Sequence, residues 1–222
     1  FGNMWAKKEY EVLNRNFKGF EYVMFTFTAV IFSCVGVLII PFIRRYTVGI
    51  TDVEYCRIDL AILITVAEAF YCIRQPYMTL VQATGHYKET KNGSAVEAIL
   101  NLTISLLLIN FIGITGVIIG TLVANLFRTI QYSYFISKKV LDRSIMEVIK
   151  RIIWTVGTSF TIVLISLMLT RTIVFSKGWF GWIFEAVIVF VISCIVSLIA
   201  SVLFYKNDLK LILSVGKRMV KR

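Results

Sequence analysis

One histidine, His86, four cysteines and two prolines occur in 222 residues, and the first two scarcities each remove a class of protein. A lone histidine with scattered cysteines cannot assemble a zinc-ligand spacing, so no metal site is expected. Cys34, Cys72 and Cys194 lie inside apolar runs and read as small hydrophobes, while Cys56 stands alone in a loop. No pair among them suggests a disulfide framework. Charge is scarce too: charged residues make up 17% of the chain, against about 25% in globular proteins. No loop exceeds about fifteen residues, which leaves little room for an extramembrane enzyme domain.

Apolar sequence is what abounds. The chain is 58% hydrophobic with a mean hydropathy of +0.78, more than a soluble domain of this size can hide. An integral membrane protein is expected. Its apolar runs lack the alternating polar period of an outer-membrane barrel, so the spans are helices. The chain opens on Phe1 with mixed polar sequence rather than a short apolar core behind a basic start. No signal peptide is read there, and the chain reads as a fragment.

Six spans are predicted, at about 20–42, 58–83, 94–112, 117–136, 152–175 and 183–205, each long enough to cross ~30 Å of hydrocarbon. Residues 1–19 read as an amphipathic linker helix lying along the membrane surface. Pro41 with Arg44 and Arg45 closes the first span, and a polar turn, Thr84 to Lys88, ends the second at Gly85. Gly113-Ile114-Thr115-Gly116 is a tight turn that sends the fourth span back antiparallel to the third. The connector 137–151 reads as interfacial, with Leu141, Ile145, Val148 and Ile149 on one face and Arg143, Glu147 and Lys150 opposite. The loop from Ser176 to Trp182 carries boundary tryptophans. The tail, 206–222, sets Leu209, Ile212 and Leu213 against Lys210, Lys217 and Lys221.

The net charge of +11 follows from topology rather than from a nucleic-acid partner. Seventeen Lys and Arg lie in the N-terminal segment, the 84–93 turn, the connector and the tail, and five on the other side, including Arg44, Arg45, Arg57, Arg171 and Lys177. The positive-inside rule then puts both termini in the cytoplasm, with the basic excess facing anionic membrane lipids.

Arg74 and Arg128 remain, both inside spans, where an ionisable group costs roughly 2.5–3.5 kcal/mol on insertion scales. Arg74 falls about 16 Å from the turn at Gly85, near the midplane, and either lines a polar cavity or pairs with an acid on another helix. Arg128 either joins such a cavity or snorkels to the inner interface. Glu68 is also near the midplane, six residues from Arg74 and so on a different face. Gln75 precedes Pro76, which frees the carbonyl of Cys72 and is expected to kink the helix. A hairpin turning about Lys88 sets Asn101 at the height of Pro76, in the neighbourhood of Arg74. Glu97 reads as a solvated helix start and Glu185 as interfacial. Guanidinium groups at the midplane favour an anionic ligand.

The ordered pattern Arg74-Gln75-Pro76-Tyr77, Gln82-Ala83-Thr84-Gly85-His86-Tyr87-Lys88, Glu97-Ala98-Ile99-Leu100-Asn101-Leu102 and Gly113 to Thr121 resembles Wzx-like polysaccharide (O-antigen) flippases. These are the oligosaccharide exporters of the multidrug/oligosaccharidyl-lipid/polysaccharide superfamily. The resemblance is best over 20–139 and implies the C-terminal bundle of six helices in a two-bundle transporter. It further implies translocation of an undecaprenyl-diphosphate-linked oligosaccharide across the bacterial cytoplasmic membrane by alternating access. Such a transporter is not an enzyme and uses no cofactor; the coupling ion stays open. The substrate-binding residues would be Arg74, Glu68, Gln75, Asn101 and Arg128, facing an N-terminal six-helix bundle of the same protein. A multidrug or small-cation exporter of the same superfamily, a membrane glycosyltransferase or polymerase, and an assembly subunit are the alternatives.

Overall fold

The computed structural model describes the backbone of residues 1–172 and 178–220, and the side chains of all of these except 172 and 215–220. The described residues are helical throughout, with no strand among them. In chain order the helices are α1 (Gly2–Ala6), α2 (Tyr10–Tyr46), α3 (Ile58–Thr84), α4 (Tyr87–Ile112), α5 (Ile114–Lys139), α6 (Ile145–Thr172), α7 (Trp179–Phe204) and α8 (Lys206–Val220).

Five of these, α2, α4, α5, α6 and α7, are long and apolar enough to cross a membrane, where six spans were expected. The exception is α3. At 27 residues it is as long as its neighbours, but Asp59, Glu68, Arg74, Gln75 and Gln82 lower its apolar content. It nonetheless packs between α2 and α5, with one face left uncovered. The packing order is α4, α5, α3, α2, with α6 and α7 both against α2. The larger apolar core joins Leu13, Phe17, Phe25, Tyr77, Leu80, Tyr132, Ile136 and Val148 at the end of the bundle that holds both termini. That end, the basic end, is closed by Trp5 on His86 and His86 on Phe135, ring centroids 5.6 Å apart in each pair.

Several boundaries differ from the sequence-based expectation. Residues 10–19 do not lie along a surface; they extend α2, whose 37 residues span about 55 Å. Leu13, Phe17, Glu21 and Phe25 recur every four residues and keep one buried stripe running through the expected boundary. Pro41 sits inside α2 rather than closing it, since α2 continues to Tyr46. The turn between α3 and α4 is shorter than 84–93. Gly85 takes φ +77°, its N–H reaches the Gln82 carbonyl and the His86 N–H that of Val81, a Schellman ending, and α4 starts at Tyr87.

At the other end Gly113, with φ +60°, makes the α4–α5 turn alone. The two helices then pack so closely that a Cβ on Gly116 or Gly120 would strike Leu108 or Ser105. The connector is no separate helix: α5 runs to Lys139, α6 starts at Ile145, and Arg143 is buried where an exposed face was expected. Trp179 and Trp182 belong to the first turn of α7, packed on Phe42, rather than to a loop. The amphipathic tail is present as α8. The end of the fifth span at 173–175, Ser176, Lys177 and Lys221 lie outside the described residues, as does the side chain of Lys217.

Candidate functional site

Arg74 of α3, Glu97 of α4 and Arg128 of α5 form one charged cluster. Arg74 Nη1 donates to Glu97 Oε1 at 2.6 Å, and Arg128 Nε lies 3.4 Å from Glu97 Oε2. Both guanidiniums are buried, 6% and 3% exposed, so one carboxylate is shared between two cations and the cluster keeps a net positive charge. Arg128 is further held by the Thr90 carbonyl at 2.9 Å, Ser94 Oγ at 2.6 Å, the Gln131 side-chain oxygen at 2.5 Å and Tyr132 Oη at 2.8 Å. Arg74 has one such partner and stacks on Tyr71, its Cζ 4.7 Å from the ring centre. Its buried Nε has no hydrogen-bond partner among the described residues.

The turn position decides which residue Arg74 meets. A hairpin about Lys88 sets Asn101 near Pro76, whereas the observed turn at Gly85 and His86 brings Glu97 level with Arg74. Asn101, one helical turn farther along, accepts instead from Ser105 Oγ at 3.1 Å. Glu97 is therefore no solvated helix start. Arg128 is buried among five polar groups, its head turned toward the basic end, where Thr90 lies in the first turn of α4 and Gln131 and Tyr132 follow it on α5. Glu185, expected at the interface, is buried with Arg45 3.8 Å away.

Glu68 and Gln75 occupy a different face. Ile64, Glu68, Tyr71, Gln75, Thr79 and Gln82 follow one another at three- and four-residue steps and make one stripe along α3. Ile64, Glu68, Tyr71 and Gln82 are exposed, and Gln75 and Thr79 half-buried. Beside this stripe, α5 grips α3 by two side chains. Asn125 Nδ2 donates to the Ala67 carbonyl at 3.0 Å and Thr129 Oγ1 to that of Phe70 at 3.1 Å. Of the five predicted site residues, Arg74 and Arg128 are thus brought together, Glu68 and Gln75 share the uncovered stripe, and Asn101 joins neither group.

A second charged cluster escaped notice in the sequence. Glu21 of α2 is fully buried and accepts from Arg143 Nη1 at 2.9 Å, Arg143 Nη2 at 2.5 Å and the Tyr77 hydroxyl. Arg151 Nε lies 3.1 Å from the same carboxylate, and its Nη2 donates to Asp208 of α8 at 2.6 Å. Two acids and two arginines balance, so this cluster joins α2, α3, α6 and α8 without net charge. Its one visible signal was a carboxylate on an otherwise apolar four-residue stripe, Leu13, Phe17, Glu21, Phe25.

The fold and these clusters define an all-helical, multi-pass membrane protein with two buried arginines shared by a single acid. Compared with protein families, characterised proteins and solved structures, the chain finds no match.

Proposed function

We propose that this chain is the C-terminal half of a flippase that moves an undecaprenyl-diphosphate-linked oligosaccharide across a bacterial cytoplasmic membrane, with both termini cytoplasmic. The observation that carries the reading is the uncovered polar stripe of α3, Glu68 to Gln82, beside a net-positive arginine pair. Such a face is costly against lipid and is stable against water or a second bundle, which is the surface an alternating-access cavity requires. Arg74 Nε is buried next to this stripe without a hydrogen-bond partner among the described residues, and in this reading it becomes the donor for an anionic group once the cavity opens.

In the full-length protein, Arg74→Ala is expected to abolish export with membrane insertion intact, and Arg74→Lys to restore it only in part. Because Arg74 also holds Glu97, Gln75→Leu supplies a second variant that leaves the ion pair untouched and makes the middle of the stripe apolar. Wild-type export in both Arg74→Ala and Gln75→Leu would overturn the cavity.

One observation favours the small-cation exporter as a second reading. Glu68 is the acid on the exposed stripe, while both arginines lie off it and share Glu97. Proteoliposomes separate the two: flipping of a lipid-diphosphate sugar supports the first, and cation efflux abolished by Glu68→Gln the second.

A further inference from the structure

A groove of about 820 Å³ runs between α6 and α7 on the outside of the bundle. That volume is in the range of small-molecule sites, roughly 300–1,000 Å³. Its walls are mostly apolar, with Ile153, Gly157 and Ile165 on one side and Val196, Ile199 and Leu203 on the other. Gly157 deepens it, since a Cβ there would meet nothing within 4 Å. Both helices are apolar enough to span a membrane, so the groove lies against hydrocarbon.

Toward the basic end the groove changes character. Trp154 and Tyr205 close it edge to face, ring centroids 5.1 Å apart, a pairing suited to the membrane–water boundary. Exposed Lys150 lines the mouth, and a smaller hollow of about 280 Å³ continues past Tyr205 to exposed Lys206. The nearby acids are already engaged. Glu147 faces Lys18 at 3.3 Å and Arg143 at 4.0 Å, and Asp208 holds Arg151 at 2.6 Å. Lys150 and Lys206 have no acid partner among the described residues.

We propose that this groove binds one anionic phospholipid of the surrounding bilayer, its acyl chains along α6 and α7 and its phosphate on Lys150 and Lys206. The charge at the mouth selects this occupant. A zwitterionic lipid brings a phosphate but no net charge, and an apolar partner helix brings neither, so both leave the positive charge at the mouth undiminished where an anionic lipid lowers it. The inference stands apart from the transport reading, because it uses neither α3 nor the arginine pair.

The test is native mass spectrometry of the purified chain released from nanodiscs of phosphatidylglycerol or phosphatidylcholine. One phosphatidylglycerol is expected to stay bound, and phosphatidylcholine to be lost. Lys150→Gln should weaken retention about fivefold, the factor for one lysine near an anionic surface. Gly157→Leu should abolish retention by filling the groove. Leucine is also the better helix former, so the variant is expected to fold, as circular dichroism would report. Equal retention of both lipids would overturn the proposal, as would unchanged retention in both variants. Displacement by equimolar undecaprenyl phosphate would do the same and give the groove to a transported lipid. A dimer that excludes lipid from the groove would give it to a second copy.

Discussion

Arg74 and Glu97 meet at 2.6 Å, although one is on α3 and the other on α4, and both helices pack along α5 rather than chiefly on each other. The pair reaches across because the Gly85 turn sets the two residues level. Arg128, from α5 itself, completes the cluster from below the gap.

That geometry predicts coupling. Arg74→Gln and Glu97→Gln are each expected to destabilise the bundle, Glu97→Gln more, because it leaves two guanidiniums without a counter-charge. The double variant should recover about 1–3 kcal/mol relative to the sum of the singles. Thermal unfolding in detergent measures this, and strict additivity would mean the pair is not formed.

Glu21 is expected to matter more for stability than any residue of the Arg74 cluster. It is fully buried and answers both Arg143 and Arg151, so Glu21→Gln should cost about 3–5 kcal/mol. Tyr77→Phe removes one hydrogen bond to the same carboxylate and should cost about 1–3 kcal/mol. If the two variants melt alike, the carboxylate is not what holds α2 to α6.

Two glycines of similar sequence character should respond in opposite ways. Gly116→Leu drives a side chain into Leu108 and should cost about 1–3 kcal/mol by prising α4 from α5. Gly36→Leu has open space around its Cβ and should leave the melting temperature unchanged or raise it. A shared fall in both would show that the close approach of α4 and α5 is not the cause.

Orientation is checked by Cys56, a free thiol in the 47–57 connection at the end opposite both termini. With the termini in the cytoplasm, an impermeant maleimide added to intact cells should label Cys56 and lose that labelling in Cys56→Ser. Labelling only after permeabilisation would invert the topology.

Much of the architecture was legible before the structure. Runs of about twenty apolar residues have few solutions in a membrane, since every backbone polar group must be satisfied within the segment, and helices follow. Gly85 and Gly113 ended helices as expected because each adopts a positive φ that other residues disfavour. The amphipathic tail was equally plain, as its charged and apolar residues alternate with the helical period.

Residue partnerships were not legible, and one case shows why. Moving a hairpin turn by two or three residues changes which α4 residue faces a given α3 residue by four to six positions, about 6–9 Å of helix rise. That shift exchanges Asn101 for Glu97 as the neighbour of Arg74. The same holds for Glu21, whose partners lie 122 and 130 residues away on elements that sequence spacing cannot relate.

The amino-acid sequence by itself determined that this is a helical membrane protein, where most helices lie, and that Arg74 and Arg128 carry charge into apolar surroundings. Hydropathy and helical period are properties of neighbouring residues, so they survive without a fold. Tertiary structure alone decided that one carboxylate serves both arginines, that Glu21 anchors a second cluster, and that one face of α3 stays polar and uncovered. Those facts depend on helix heights and rotations, which are set by packing between segments far apart in the chain.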